Sequence, residues 1–157
     1  MKKLLILDFD FTLCDSSTRE NKHTRNDELN LTAYRADTAQ HDKPLPLLTY
    51  LINNKKAIES KYSPIVLTNR DFFRDCKSPI VPIVRHNFEC LHRGICAHIL
   101  GDNFKALILE KNARDNLFID DEPKYIQIAR DNGAYAICAR DLWHYKKHDF
   151  TRLFFGA

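Results

Sequence analysis

Short, unbroken apolar runs alternate along this chain with stretches whose apolar positions recur every three or four residues. The clearest runs are Lys3 to Leu7, Pro64 to Leu67, Leu117 to Ile119 and Ala134 to Ala139, with Ile95 to Leu100 as a weaker fifth. Apolar character without alternation is what strands covered on both faces show. Between the runs, Pro46 to Ser60 carries Leu47, Leu48, Leu51, Ile52 and Ile58 at near-helical spacing, and Phe104 to Asn112 carries Leu107 and Ile108. Pro123 to Asn132 opens on proline and stops at Gly133, the expected helix punctuation. Strand and helix in alternation predict an α/β fold, a three-layer sandwich around a central parallel sheet.

Two stretches break the pattern. Residues 14–43 are polar and lack sustained periodicity, which predicts a flap or loop inserted after the first strand. Asp71 to Gly94 reads as helix broken near Pro79 and Pro82. The segment from Asp141 onward mixes Leu142, Trp143, Tyr145, Phe150, Leu153, Phe154 and Phe155 with basic residues, and is expected to pack back on the sheet.

Composition narrows the classes. A length of 157 residues suits one domain, residues 1–157, with enough core to fold without a disulfide or metal. The net charge of +3 permits a nucleic-acid partner without demanding one. The apolar runs are far shorter than the ~20 residues that cross a bilayer, and the first ends at Asp8 with no cleavage signal after it. The expectation is a cytoplasmic protein with no membrane association and no obligate protein partner. The five cysteines (Cys14, Cys76, Cys90, Cys96 and Cys138) are odd in number and form no CxxC pair, which argues against a secreted disulfide framework. His86, Cys90, His92, Cys96 and His98 alternate closely, but zinc ligands usually come in better-separated pairs, so core thiols and surface imidazoles are favoured.

In open α/β sheets ligands bind at the carboxyl ends of the strands. Those ends read Asp8-Phe9-Asp10-Phe11-Thr12, Thr68-Asn69-Arg70 and Asp120-Asp121, with Lys105 opening the helix before the last of them. Singly, each is more often a turn or a helix cap. Together they crowd several carboxylates, a hydroxyl and an ammonium on one edge of one sheet. Crowded carboxylates repel, and a hard divalent cation such as Mg²⁺ relieves that with oxygen ligands alone. A carboxylate nucleophile, a second carboxylate for proton transfer and donors for an anion form the inventory for phosphoryl transfer.

The same residues carry a family resemblance. Leu4 to Leu13, with Asp8-Phe9-Asp10-Phe11-Thr12 inside it, resembles the first motif of the haloacid dehalogenase (HAD) superfamily, hhhhDxDxT. Ile65-Val66-Leu67-Thr68-Asn69 resembles the second motif, and Leu117-Phe118-Ile119-Asp120-Asp121 the fourth. The third is a lysine at variable distance: Lys105 by position, with Lys111 as the fallback. Phe11 departs from the pattern, since many members have glycine there. The resemblance implies a Rossmann-like, HAD-like fold without a large cap and a Mg²⁺-dependent phosphatase. It makes Asp8 the nucleophile, Asp10 the general acid and base, and Thr68, Asn69 and Lys105 the phosphate-binding residues. Asp8, the Asp10 backbone carbonyl and Asp120 would hold the metal, with Asp121 close by.

Thr68-Asn69-Arg70, Gly101-Asp102 and Phe118 to Asp121 are also similar to the 3′-phosphatase domain of bacteriophage polynucleotide kinase/phosphatases. That extends the expected substrates to polynucleotide 3′-phosphates and nucleotides, with basic residues 19–25 and 85–98 as a track for nucleic acid. Two rivals stand beside the enzyme: a catalytically silent HAD-like interaction protein and a receiver-like phosphoacceptor domain. In a receiver the acidic pair follows the first strand, whereas here the pair comes late.

Overall fold

The structure is a computed structural model that describes residues 2–36, 41–74 and 78–156. Cys76 and parts of the 14–43 insert and the 71–94 stretch lie outside the described residues. The chain begins with strand β1 (Lys3–Leu7) and enters the insert through β2 (Cys14–Asp15), α1 (Ser17–Lys22), β3 (Thr24–Arg25), β4 (Glu28–Leu29), α2 (Leu31–Ala36) and β5 (Lys43–Pro44). It continues through α3 (Pro46–Asn53), α4 (Lys55–Lys61), β6 (Tyr62–Thr68), α5 (Ile80–Asn87), β7 (Glu89–His92), α6 (Arg93–Leu100) and α7 (Phe104–Asn112). It closes with β8 (Leu117–Asp120), α8 (Pro123–Asp131), β9 (Tyr135–Cys138), a 3₁₀ turn at Ala139–Leu142 and α9 (Lys147–Phe155).

Five strands form one sheet in the order β7-β6-β1-β8-β9, with every pairing parallel. β1 lies in the middle because its apolar side chains are buried on both faces. Leu5 and Leu7 point into one core layer with Leu47, Leu48, Leu51, Val84, Phe150 and Phe154. Ile6 points into the other with Leu67, Cys96, Phe104, Leu109, Phe118 and Ala129. Alternate residues of a strand face opposite ways, so one apolar run serves both layers. The sandwich is therefore three layers deep, as the sequence pattern predicts.

The weaker fifth strand is corrected. Ile95 to Leu100 lies in α6, and the edge strand is Glu89–His92 instead. A six-residue apolar run does not distinguish strand from helix, and here Ile99 is 78% exposed while Cys96 alone in α6 is buried. Gly94 does not interrupt this helix but sits in its first turn, where a Cβ would lie 2.5 Å from Asp71 Oδ1 and 2.9 Å from His92 Cε1. Pro79 and Pro82 start a helix rather than break one: Pro79 caps α5, and Pro82 lies in its first turn. The predicted helix over residues 46–60 is two helices that meet at Asn54.

The aromatic tail folds back as expected. Phe150 and Phe154 of α9 stack against Tyr50 with ring centroids 5.1 and 5.9 Å away. Tyr62 Oη and Lys61 Nζ both donate to the Phe154 carbonyl, at 3.0 and 2.7 Å.

Candidate active site

From β1 the chain runs outward to β6 and β7, then returns to β8 and β9 on the other side. The carboxyl ends of β1 and β8 thus flank a topological switch point, where open α/β sheets bind ligands. Asp8 follows β1, its amide donating to the Ile119 carbonyl at 2.9 Å. Asp120 is the last residue of β8, and Asp121 the first beyond it.

These three carboxylates offer oxygens that lie within 4.8 Å of one another. Lys105, buried in the first turn of α7, inserts its ammonium among them, 2.9 Å from Asp8 Oδ1 and 2.7 Å from Asp120 Oδ2. Lys111 is exposed in the last turn of the same helix. Thr12 Oγ1 donates to Asp8 Oδ2 at 3.5 Å. Thr68 is buried at the end of β6, two positions past the residue paired with Leu7. Asn69 turns elsewhere: its Nδ2 donates to Tyr125 Oη at 2.9 Å, and its carbonyl accepts from Arg93 Nε at 2.9 Å.

The electrostatics follow from three carboxylates against one buried ammonium. Burial, and then Asp120, push the Asp8 pKa well above the usual carboxylate range, and Lys105 only partly offsets them. Burial also pushes Asp121 up, to about 6. Burial alone would lower Lys105, but Asp8 and Asp120 outweigh it and raise its pKa. Asp120 Oδ2 is buried, with the Lys105 ammonium 2.7 Å away. Excess negative charge and hard oxygen donors together fit a cation such as Mg²⁺. Among the described residues, no His/Cys group shares this property.

Asp10 is separate from this cluster. Its Oδ1 accepts from Arg70 Nη2 at 2.6 Å, from Ser16 Oγ at 3.1 Å and from Tyr34 Oη at 3.5 Å. Arg70 also donates from Nη1 to Asp42 Oδ2 at 2.9 Å, an oxygen that Ser78 Oγ reaches at 2.9 Å. The polar insert thus holds Asp10 and Arg70 through Ser16, Tyr34 and Asp42, and its Tyr34 lines a hollow with both. Sequence reasoning did not assign roles to Arg70, Tyr34, Asp42 or Ser16. Only Arg70 had a signal, its place directly after the Thr68 strand end.

The basic residues of the two segments lie in different surroundings: Arg93 and His98 line the hollow that Asp10 and Arg70 also line. His92 is buried, its Nδ1 accepting from the Phe72 and Gly94 amides at 3.2 and 3.1 Å. Arg93 is tied to Asp102 at 3.0 Å. Lys22, His23 and Arg25 line a hollow together with Glu28.

No family model matches the chain, and no curated protein matches it. Among solved structures it is similar to a haloacid dehalogenase-like family hydrolase from Streptococcus pneumoniae, at TM-score 0.63 and 14% identity over 98% of both chains. It is also similar to a HAD-superfamily hydrolase from Ehrlichia chaffeensis, at TM-score 0.59 and 16% identity over 98% of this chain and 97% of the other. With its central five-stranded parallel sheet and no large cap among the described residues, the chain has the HAD-like fold.

Proposed function

We propose that this chain is a Mg²⁺-dependent phosphomonoesterase working through an aspartyl-phosphate, with polynucleotide 3′-phosphates and nucleotides as its substrate class. The observation that carries the reading is the meeting of Asp8, Asp120, Asp121 and Lys105 at the switch point of the sheet. The two hydrolases of like fold support it.

In this mechanism an Asp8 carboxylate oxygen attacks phosphorus and the bond to the leaving oxygen breaks, while Asp10 gives that oxygen a proton. Asp10 then takes a proton from water, whose oxygen attacks the same phosphorus and frees Asp8 and inorganic phosphate. Arg70 holds the Asp10 carboxylate for both transfers, and Thr68 and Lys105 bind phosphate oxygens. Asp8, the Asp10 carbonyl and Asp120 would hold Mg²⁺, which neutralises charge building on the phosphoryl group.

A colorimetric assay with p-nitrophenyl phosphate and Mg²⁺ separates this enzyme from a silent or receiver-like protein. A panel with 3′-phosphorylated oligonucleotides tests the substrate. The oligonucleotide should outperform the 3′-mononucleotide at low ionic strength, and the two should converge as salt rises, since each extra phosphate contact releases counterions. Equal efficiency at every salt concentration moves the substrate to small metabolites.

A further inference from the structure

Next to the carboxylate cluster stands a group of side chains that the hydrolytic steps do not use. Phe11, between Asp10 and Thr12, has φ +60°. In that left-handed region glycine is at ease and a bulky side chain is strained. Two hydrogen bonds hold the strain in place. The Phe11 amide donates to the Cys14 carbonyl at 2.7 Å, and the Phe11 carbonyl accepts from Trp143 Nε1 at 2.9 Å. The two rings are half-buried, 6.3 Å apart and tilted by 35°. The Arg140 guanidinium lies over both, 5.5 Å from the Phe11 centroid and 4.9 Å from that of Trp143. Its Nη2 is 3.6 Å from Asp121 Oδ2.

A strained conformation persists only where its surroundings over-determine it, and such residues gather at ligand clamps. Here the strain places a phenyl ring against the guanidinium that pairs with Asp121, where glycine would leave the loop relaxed and offer no ring. Aromatic faces and arginine planes are the surfaces on which nucleobases stack. One guanidinium links this surface to Asp121.

We propose that Phe11, Trp143 and Arg140 seat a planar aromatic ring of the substrate's leaving group, a nucleobase, beside the reacting phosphate. The placement rests on the phosphomonoesterase reading above. The seat itself can be measured without turnover.

Trp143 is the only tryptophan in the chain, so its fluorescence reports directly on the seat. The Asp8→Asn protein is titrated with adenosine 3′- and 5′-monophosphate and with ribose 5-phosphate, which lacks the base. Saturable quenching by a nucleotide, absent with ribose 5-phosphate, is the expected result. Adding Phe11→Gly should weaken nucleotide binding about tenfold, with folding checked by thermal melting. Tyr135→Ala, which removes a ring 70% exposed on β9, should leave that affinity in place. In the otherwise wild-type enzyme, the nucleotide should exceed ribose 5-phosphate about tenfold in kcat/KM, and Phe11→Gly should bring the ratio toward one. Equal responses to nucleotide and ribose 5-phosphate, or an affinity indifferent to Phe11→Gly, overturn the seat. If no phosphate ester is hydrolysed, the phosphomonoesterase reading fails, and the fluorescence titration still decides the seat.

Discussion

Arg70 crosses from the end of β6 to hold Asp10, its Nη2 2.6 Å from Asp10 Oδ1, while its other nitrogen holds Asp42 at 2.9 Å. The guanidinium is almost wholly buried, its side chain 4% exposed. One cation thus joins the loop after β1, the insert and the central sheet. Removing it leaves the buried Asp42 charge without its guanidinium and lets the Asp10 carboxylate swing. Arg70→Leu should cost about 3–5 kcal/mol of stability by urea unfolding. In the protein that remains folded, turnover should fall about 10²-fold, the scale of a general acid–base contribution. Arg70→Lys should recover part of the stability but little of the turnover, because an ammonium lacks the two-pronged geometry. Full turnover in Arg70→Leu would remove Arg70 from the positioning of Asp10.

Asp8→Asn keeps the shape of the site and removes the attacking charge. Turnover should drop at least ~10³-fold, about 4 kcal/mol of barrier. The melting temperature of the metal-free protein should stay level or rise, because a crowded buried carboxylate has gone. Near-normal turnover by this variant would exclude Asp8 as nucleophile.

Chelation gives a test of the metal's role. EDTA should abolish turnover and excess Mg²⁺ restore it, while far-UV circular dichroism stays unchanged. The two apolar core layers do not include the Asp8, Asp120 and Asp121 carboxylates, so bound Mg²⁺ should add stability only by mass action. Cooperative unfolding on chelation would make the ion structural.

His92 should confer an acid-sensitive stability. Burial lowers its pKa, Asp71 at 4.0 Å opposes that, and Arg85 reinforces it. The unfolded chain therefore takes up this proton first, near pH ~6.5. His92's contribution is complete above that pH and is lost as the pH falls from there through the lower folded-state pKa. Urea midpoints for wild type and His92→Gln at several pH values between neutral and mildly acidic should differ in slope, the wild type falling more steeply. Parallel profiles would show that His92 does not titrate in this way.

Much of this architecture is legible in the sequence because burial on both faces leaves an apolar run that can be read residue by residue, as in β1 and β8. The site's first carboxylates are legible for a related reason: Asp8 and Asp120 are where those runs stop. The Ile95–Leu100 run misleads because it packs against one layer through Cys96 and Ala97 while Ile95, Ile99 and Leu100 stay exposed, so most of its apolar residues mark no buried face. Arg70, Tyr34 and Asp42 are illegible for a different reason. They are joined across 28 to 60 positions of chain, and no local period records a partner that far away.

The bonds from Lys61 and Tyr62 to the Phe154 carbonyl span 93 and 92 positions. Entropy lost in closing so large a loop must be met before the contact returns anything. The aromatic lock of α9 on the start of β6 should therefore form late in folding, a φ-value below that of the β1–β6 pair being the check. Until it forms, Tyr50 and Tyr62 lack their phenyl partners, and the layer beneath α3 stays open to solvent and to other unfolded chains. Expression temperature, more than any feature of the catalytic edge, should govern how much of this protein is recovered in soluble form.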